Sequence, residues 1–153
     1  MILTALLLAT QLPLPEEPVA PYVQSDANAG AKPFRDNAMF QAFHGREGIS
    51  RIVEDFVARN LADARIGDIF KGQDLVRLHR LLNEHFCYVL GGGCTYTGRS
   101  MKNAHADMGL QSADMGALVE NLQAAMQAEG VPFAAQNRFL AKLAPMKRDV
   151  VVR

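Results

Sequence analysis

Three consecutive glycines, Gly91, Gly92 and Gly93, stand at the end of a long run of helix-spaced leucines. No other feature restricts the fold as much. Glycines in a row cannot carry a helix forward cheaply, so the chain must stop and turn there. Before them, Leu75, Leu78, Leu82, Phe86 and Val89 recur at the three- and four-residue spacing of one helix face. After them come Cys94, Tyr96 and Gly98 in a loop. A short helical turn then sets His105 four residues beyond Met101, on the same side. A histidine presented opposite a leucine stripe is placed to offer a neutral imidazole nitrogen to a flat apolar cofactor.

The rest of the chain beyond Met39 also reads as helix, with no alternating strand pattern. Ile49, Ile52, Val53, Phe56 and Val57 mark one face, and Met115, Leu118, Leu122 and Met126 another, opened by Ser112 as N-cap. Gly130 stops that helix and Pro132 starts the next, whose stripe is Phe133, Phe139, Leu140 and Leu143. Four substantial helices and one short one predict a compact all-α domain over residues 39–153. Periodicity alone does not separate a plain bundle from a globin.

Residues 1–11 are largely apolar but too short to span a bilayer, which takes about twenty residues. They resemble the middle of a secretory signal, without a basic residue after Met1 or a clean cleavage site. A signal would make the protein periplasmic or secreted, and otherwise it is cytoplasmic. Residues 12–38 are rich in proline and alanine with no apolar period, so a flexible linker is expected. Positive and negative side chains balance, so no basic field exists to draw in nucleic acid. Cys87 and Cys94 would bridge in an oxidising compartment and stay thiols in a reducing one. No Cys-x-x-Cys-His motif is present for covalent haem attachment, and the histidines at 44, 79, 85 and 105 give no two-histidine metal spacing on one helix.

The glycine loop with His105 resembles the proximal segment of the group I truncated haemoglobins. The resemblance runs over roughly residues 40 to 152. It takes in His44-Gly45-Arg46-Glu47-Gly48-Ile49, where the family usually has two glycines, and Val53-Glu54-Asp55-Phe56. Further on it includes Leu61-Ala62-Asp63, Ile69-Phe70, Gly130-Val131-Pro132 and Ala144-Pro145-Met146-Lys147-Arg148-Asp149-Val150. It implies a truncated globin, a two-over-two helical sandwich around one haem b, with His105 as the iron ligand. Met101 and Met108 would pack near the porphyrin and Phe70 would wedge against it. Arg77 and Tyr96 match positions that bond haem propionates in relatives. Leu75, Leu78, Leu82, Leu118 and Phe139 would complete the cofactor's apolar surround.

The ligand side departs from the family pattern. Relatives commonly carry a tyrosine after the phenylalanine matching Phe56, and polar residues at the positions of Leu78 and Leu82. Here Val57, Leu78 and Leu82 offer only hydrocarbon. A hydrogen bond to a charged partner is worth about 1.5–3 kcal/mol, or roughly 10–150-fold in affinity. Its loss would hasten oxygen escape and leave carbon monoxide comparatively unaffected. His85 lies within about 20° of Leu78 on the helical wheel, so it is expected either to supply the missing donor or to pack in place of an aromatic and bond a backbone carbonyl. His79 is expected at the pocket edge. Coordination of the iron by His79 or His85 in the unliganded protein is a further alternative. These residues imply a haem protein that binds oxygen, nitric oxide or carbon monoxide, with an electron donor as a partner if it turns over. A nitric oxide dioxygenase or weak peroxidase of the same fold, and a haem-free helical module, are the competing readings.

Overall fold

The computed structural model describes residues 15–152, and the leader expected over residues 1–11 lies outside them. Among the described residues every regular element is a helix. These are α1 (Ala38–Ala42), α2 (Gly45–Ala62), α3 (Gly67–Lys71), α4 (Leu75–Val89), α5 (Met101–Ala104), α6 (Ser112–Ala128), α7 (Phe133–Leu143) and α8 (Lys147–Val150). Short 3-10 turns at Asp26–Ala29 and Ala144–Met146 complete the list. None of these helices is long and apolar enough to cross a membrane.

The stripes read from the sequence face one another. α2 packs against both α4 and α6. Its Ile49, Ile52, Val53, Phe56 and Val57 are buried with Phe86, Val89 and Leu90 on one side and Leu122, Ala125 and Met126 on the other. Phe139 of α7 closes this core, edge-on to Phe43 at 5.2 Å and to Phe86 at 5.1 Å between ring centres. Such edge-to-face pairs add roughly 0.5–1.5 kcal/mol each to the area they bury.

The chain enters α2 through two residues in the left-handed region, His44 (φ 63°) and Gly45 (φ 67°). His44 is not spent on capping α2. Its Nδ1 lies 3.1 Å from Glu129 at the end of α6, and Arg51 donates to the same carboxylate at 2.6 and 3.0 Å. α4 is opened by Asp74, whose side chain accepts from the Arg77 amide at 3.1 Å. It ends at Leu90, and Gly91 follows with φ 85°. A Cβ at Gly91 would lie 2.4 Å from the Asp36 carbonyl, so glycine here admits the N-terminal segment as well as the turn.

From Glu16 onward, the stretch expected to be a free linker is docked along α4. The Glu17 amide donates to Asp74 at 2.6 Å, and Arg80 holds the Glu16 carboxylate. The Tyr22 hydroxyl donates to the Thr97 carbonyl at 2.6 Å, and the Phe34 amide to the Val89 carbonyl at 2.9 Å. Ala29 is fully buried. Composition hid this because polar side chains and backbone groups, not a periodic apolar face, make the contacts. Cys87 and Cys94 form a disulfide with Cα atoms 5.6 Å apart, closing the glycine loop onto the end of α4.

Candidate functional site

His105 sits just past α5, a helix of four residues started by Ser100, whose hydroxyl accepts from the Asn103 amide at 3.3 Å. Its backbone amide and its Nδ1 both reach the Met101 carbonyl, at 3.2 and 2.7 Å. A carbonyl only accepts, so Nδ1 carries the ring proton and Nε2 is left with a bare lone pair. That is the arrangement of a histidine ready to bind a metal through Nε2, with its tautomer set by the bond on the other nitrogen. The ring is half-buried, so Nε2 is neither sealed in the core nor fully in water.

The residues expected to surround a cofactor divide into two groups. Phe56, Val57, Tyr96 and Phe139 are buried. Phe70, Leu75, Leu78, Leu82, Met101, Met108 and Leu118 are only half-covered. Leu75, Leu78, Leu82 and Leu118 pack against the cluster that holds Phe56, Val57, Phe86 and Phe139, so these positions do converge. Leu75, Leu78 and Leu82 form a half-covered apolar row along α4, and Leu118 stands on α6. Apolar side chains of this kind line sites that hold cofactors. Among the described residues no three His, Cys, Asp or Glu side chains converge on one point. An iron bound by His105 would need further ligands from outside the protein, such as a macrocycle, and half-covered leucines are the kind of side chain that would meet the apolar body of one.

Two expected polar contacts are committed elsewhere. The Tyr96 hydroxyl donates to the Arg99 carbonyl at 2.9 Å, and burial pushes its ionisation up to about 12. It braces the loop from within and has no proton left to give a propionate. Arg77 donates to the Glu17 carbonyl and lies 3.5 Å from Glu16 and 3.6 Å from Asp74. Arg80 donates to Glu16 at 2.9 Å, to Glu84 at 3.0 Å and to Thr97 at 2.8 Å. The hydrogen bond from Arg80 holds Glu16 below the usual carboxylate range. Sequence reasoning missed Glu16, Asp26 and Asn28 because they fell in the presumed linker.

His85 does not take the donor role that was one of its two expectations. Its Nε2 lies 2.8 Å from the Ala29 carbonyl, and the ring stands edge-on to Tyr96 at 5.3 Å. Burial drives its pKa down, so it stays neutral and its one ring proton goes to Ala29. The other expectation, packing with a bond to a backbone carbonyl, is what the geometry shows. His79 uses Nδ1 on the Leu75 carbonyl at 2.7 Å and lines a recess with Ser50, Glu54, Val76 and Asn83.

The comparisons with known proteins agree with this frame. The family model described as bacterial-like globin matches residues 38–152. The group 1 truncated haemoglobin of Mycolicibacterium paratuberculosis is 31% identical over 113 residues, covering 74% of this chain and 83% of the relative. The chain belongs to the truncated haemoglobins. This globin is also similar to the Tetrahymena pyriformis truncated haemoglobin in its Fe(III) form, with a TM-score of 0.72 at 27% identity, covering 75% of this chain and 98% of the other. A 2/2 haemoglobin from Synechococcus sp. PCC 7002, solved in the cyanomet state with covalently attached haem, has a TM-score of 0.69 at 25% identity, covering the same 75% and 98%. The two-over-two fold is thereby shown for this globin, and haem binding is a property of its family.

Proposed function

We propose that this globin holds one haem b, with Nε2 of His105 as the protein's ligand to the iron, and that it reversibly binds a diatomic gas. The observation that carries the reading is the Met101 carbonyl bond, which leaves Nε2 of a half-buried His105 with a free lone pair. A haem held there would supply an iron able to bind oxygen, nitric oxide or carbon monoxide. Leu75, Leu78, Leu82, Met101, Met108, Leu118 and Phe70 exclude water from it, and Phe139 supports that wall from the core.

Phe56, Val57, Leu78 and Leu82 would face the bound gas, and none of them carries a hydrogen-bond donor. His85, the remaining polar candidate, has its proton on Ala29. Oxygen bound to iron gains from a donor, whereas carbon monoxide needs little help. The pocket therefore favours fast oxygen release and retained carbon monoxide affinity. Dioxygenase or peroxidase chemistry gains from a positioned polar group near the reacting oxygen, which these four side chains do not provide. Binding is the better-supported activity, with reduction of the iron left to an electron donor.

Absorption spectra of the purified protein, oxidised, reduced and with carbon monoxide, test the reading. A Soret band that shifts on reduction and again with carbon monoxide is expected. His105→Ala should lose most of the bound pigment. A variant that keeps its pigment and visible bands would remove His105 from the iron.

A further inference from the structure

The loop that leads into α5 is held from the N-terminal side by side chains of the docked segment. Asp26 Oδ1 accepts the Tyr96 amide at 2.9 Å. The Tyr22 hydroxyl donates to the Thr97 carbonyl at 2.6 Å, and Asn28 Nδ2 donates to the Gly98 carbonyl at 3.2 Å. From α4, Glu84 accepts the Thr97 amide at 2.9 Å and its hydroxyl at 2.8 Å. Three successive residues are thus fixed from two directions, and Ser100, the N-cap of α5, follows after one more. The same segment reaches α5 itself, since a Cβ built on Gly30 would stand 3.4 Å from Met101 Cγ.

α5 has little of its own to hold it. It is four residues long with no fully buried side chain, and its principal packing partner is the equally short α8. Its position is therefore inherited from the loop before it. We propose that residues 22–30 are a positioning clasp for His105, with Asp26 the key residue. The bond from the Tyr96 amide to a carboxylate is charge-assisted, stronger than its neutral counterparts. The clasp lies outside residues 38–152, the part matched by the family model. The proposal rests on His105 as the iron ligand.

The test compares Asp26→Ala with Asp26→Asn in the full chain, the asparagine keeping an acceptor oxygen. Hydrogen exchange at the Tyr96 amide should rise roughly tenfold or more in the alanine variant, the equivalent of one hydrogen bond to a charged group. It should return toward wild type in the asparagine variant. In the haem-loaded, ferrous, unliganded protein, the iron–histidine stretching band should shift with alanine and recover with asparagine. Tyr22→Phe, which keeps the ring and removes only the bond to Thr97, should shift the same band in a second, independent background. Faster exchange with an unmoved band would show a loop tie that does not govern His105 and would overturn the clasp. Unchanged exchange would overturn it as well. A wild-type protein with no iron–histidine band would instead defeat the haem reading, which separates the two failures.

Discussion

Two of the four histidines make the same bond and meet different surroundings. His79 and His105 each place Nδ1 at 2.7 Å from the carbonyl four residues earlier. His79 then lines a recess with Glu54 and Ser50, while His105 stands half-buried just past α5. Local chemistry fixes the tautomer in both, so what each free ring nitrogen can reach is decided by its position in the fold. His85 carries the clearest prediction at this scale. Replacing it by leucine orphans the buried Ala29 carbonyl, at a cost of about 1–3 kcal/mol near neutral pH. The native His85 stays neutral, while the unfolded chain takes up a proton below its ordinary pKa of 6.5. Its contribution is therefore complete above that pH and declines as the pH drops toward the depressed native value. Urea midpoints of wild type and His85→Leu should differ most near neutrality and converge on acidification. A gap that stays constant with pH would show that His85 does not titrate as described.

Helices α2, α4, α6 and α7 were legible in the sequence because each carries an apolar stripe that finds its partner in the core, although Phe133 of the α7 stripe is exposed at the start of its helix. Of the short ones only α5 was. α1, α3 and α8 have too few residues to show a period, and their places are set by neighbours. The docked N-terminal segment escaped for a different reason: its contacts run through Glu16, Tyr22, Asp26 and Asn28, which read as solvent-loving residues until the backbone opposite them is known. The leucine row came from helical spacing and the expected roles of His105 and Phe70 from a family likeness, whereas the engagement of Tyr96 and Arg77 by this chain's own groups could not be read from either. Gly91 joins the two kinds of element. Gly91→Ala meets both a positive φ and the Asp36 carbonyl, and should destabilise by about 1–3 kcal/mol. The loss should show as a lower denaturation midpoint, with faster proteolysis of residues 16–37. Alanine at the exposed Gly116 of α6, where nothing lies within 4 Å, serves as the control.

For the molecule as a whole, the Cys87–Cys94 bridge ties the glycine loop to α4. A cross-link closing so short a loop is worth about 2–3 kcal/mol on the chain-entropy account. Cys87→Ser, or reductant added to the wild type, should lower the unfolding midpoint to a similar degree. A midpoint indifferent to reductant would mean that the two thiols do not pair in solution. With the bridge, the clasp and the Arg80 network acting on one stretch of chain, the proximal side of this globin is held more firmly than its four-residue helix would suggest.

The junction of α2 with the end of α6 depends on a single acidic side chain. Glu129 takes hydrogen bonds from Arg51 and His44, and the Arg51 contact keeps its pKa below 4.5. One carboxylate thus pins the first turns of one long helix to the last turn of another, across a strained entry at His44. Because its proton affinity is lowered by folding, the rivet is fully set above pH 4.5 and works loose as acid fills it. Moderate acid should accordingly part α2 from the end of α6 before the disulfide-closed turn gives way.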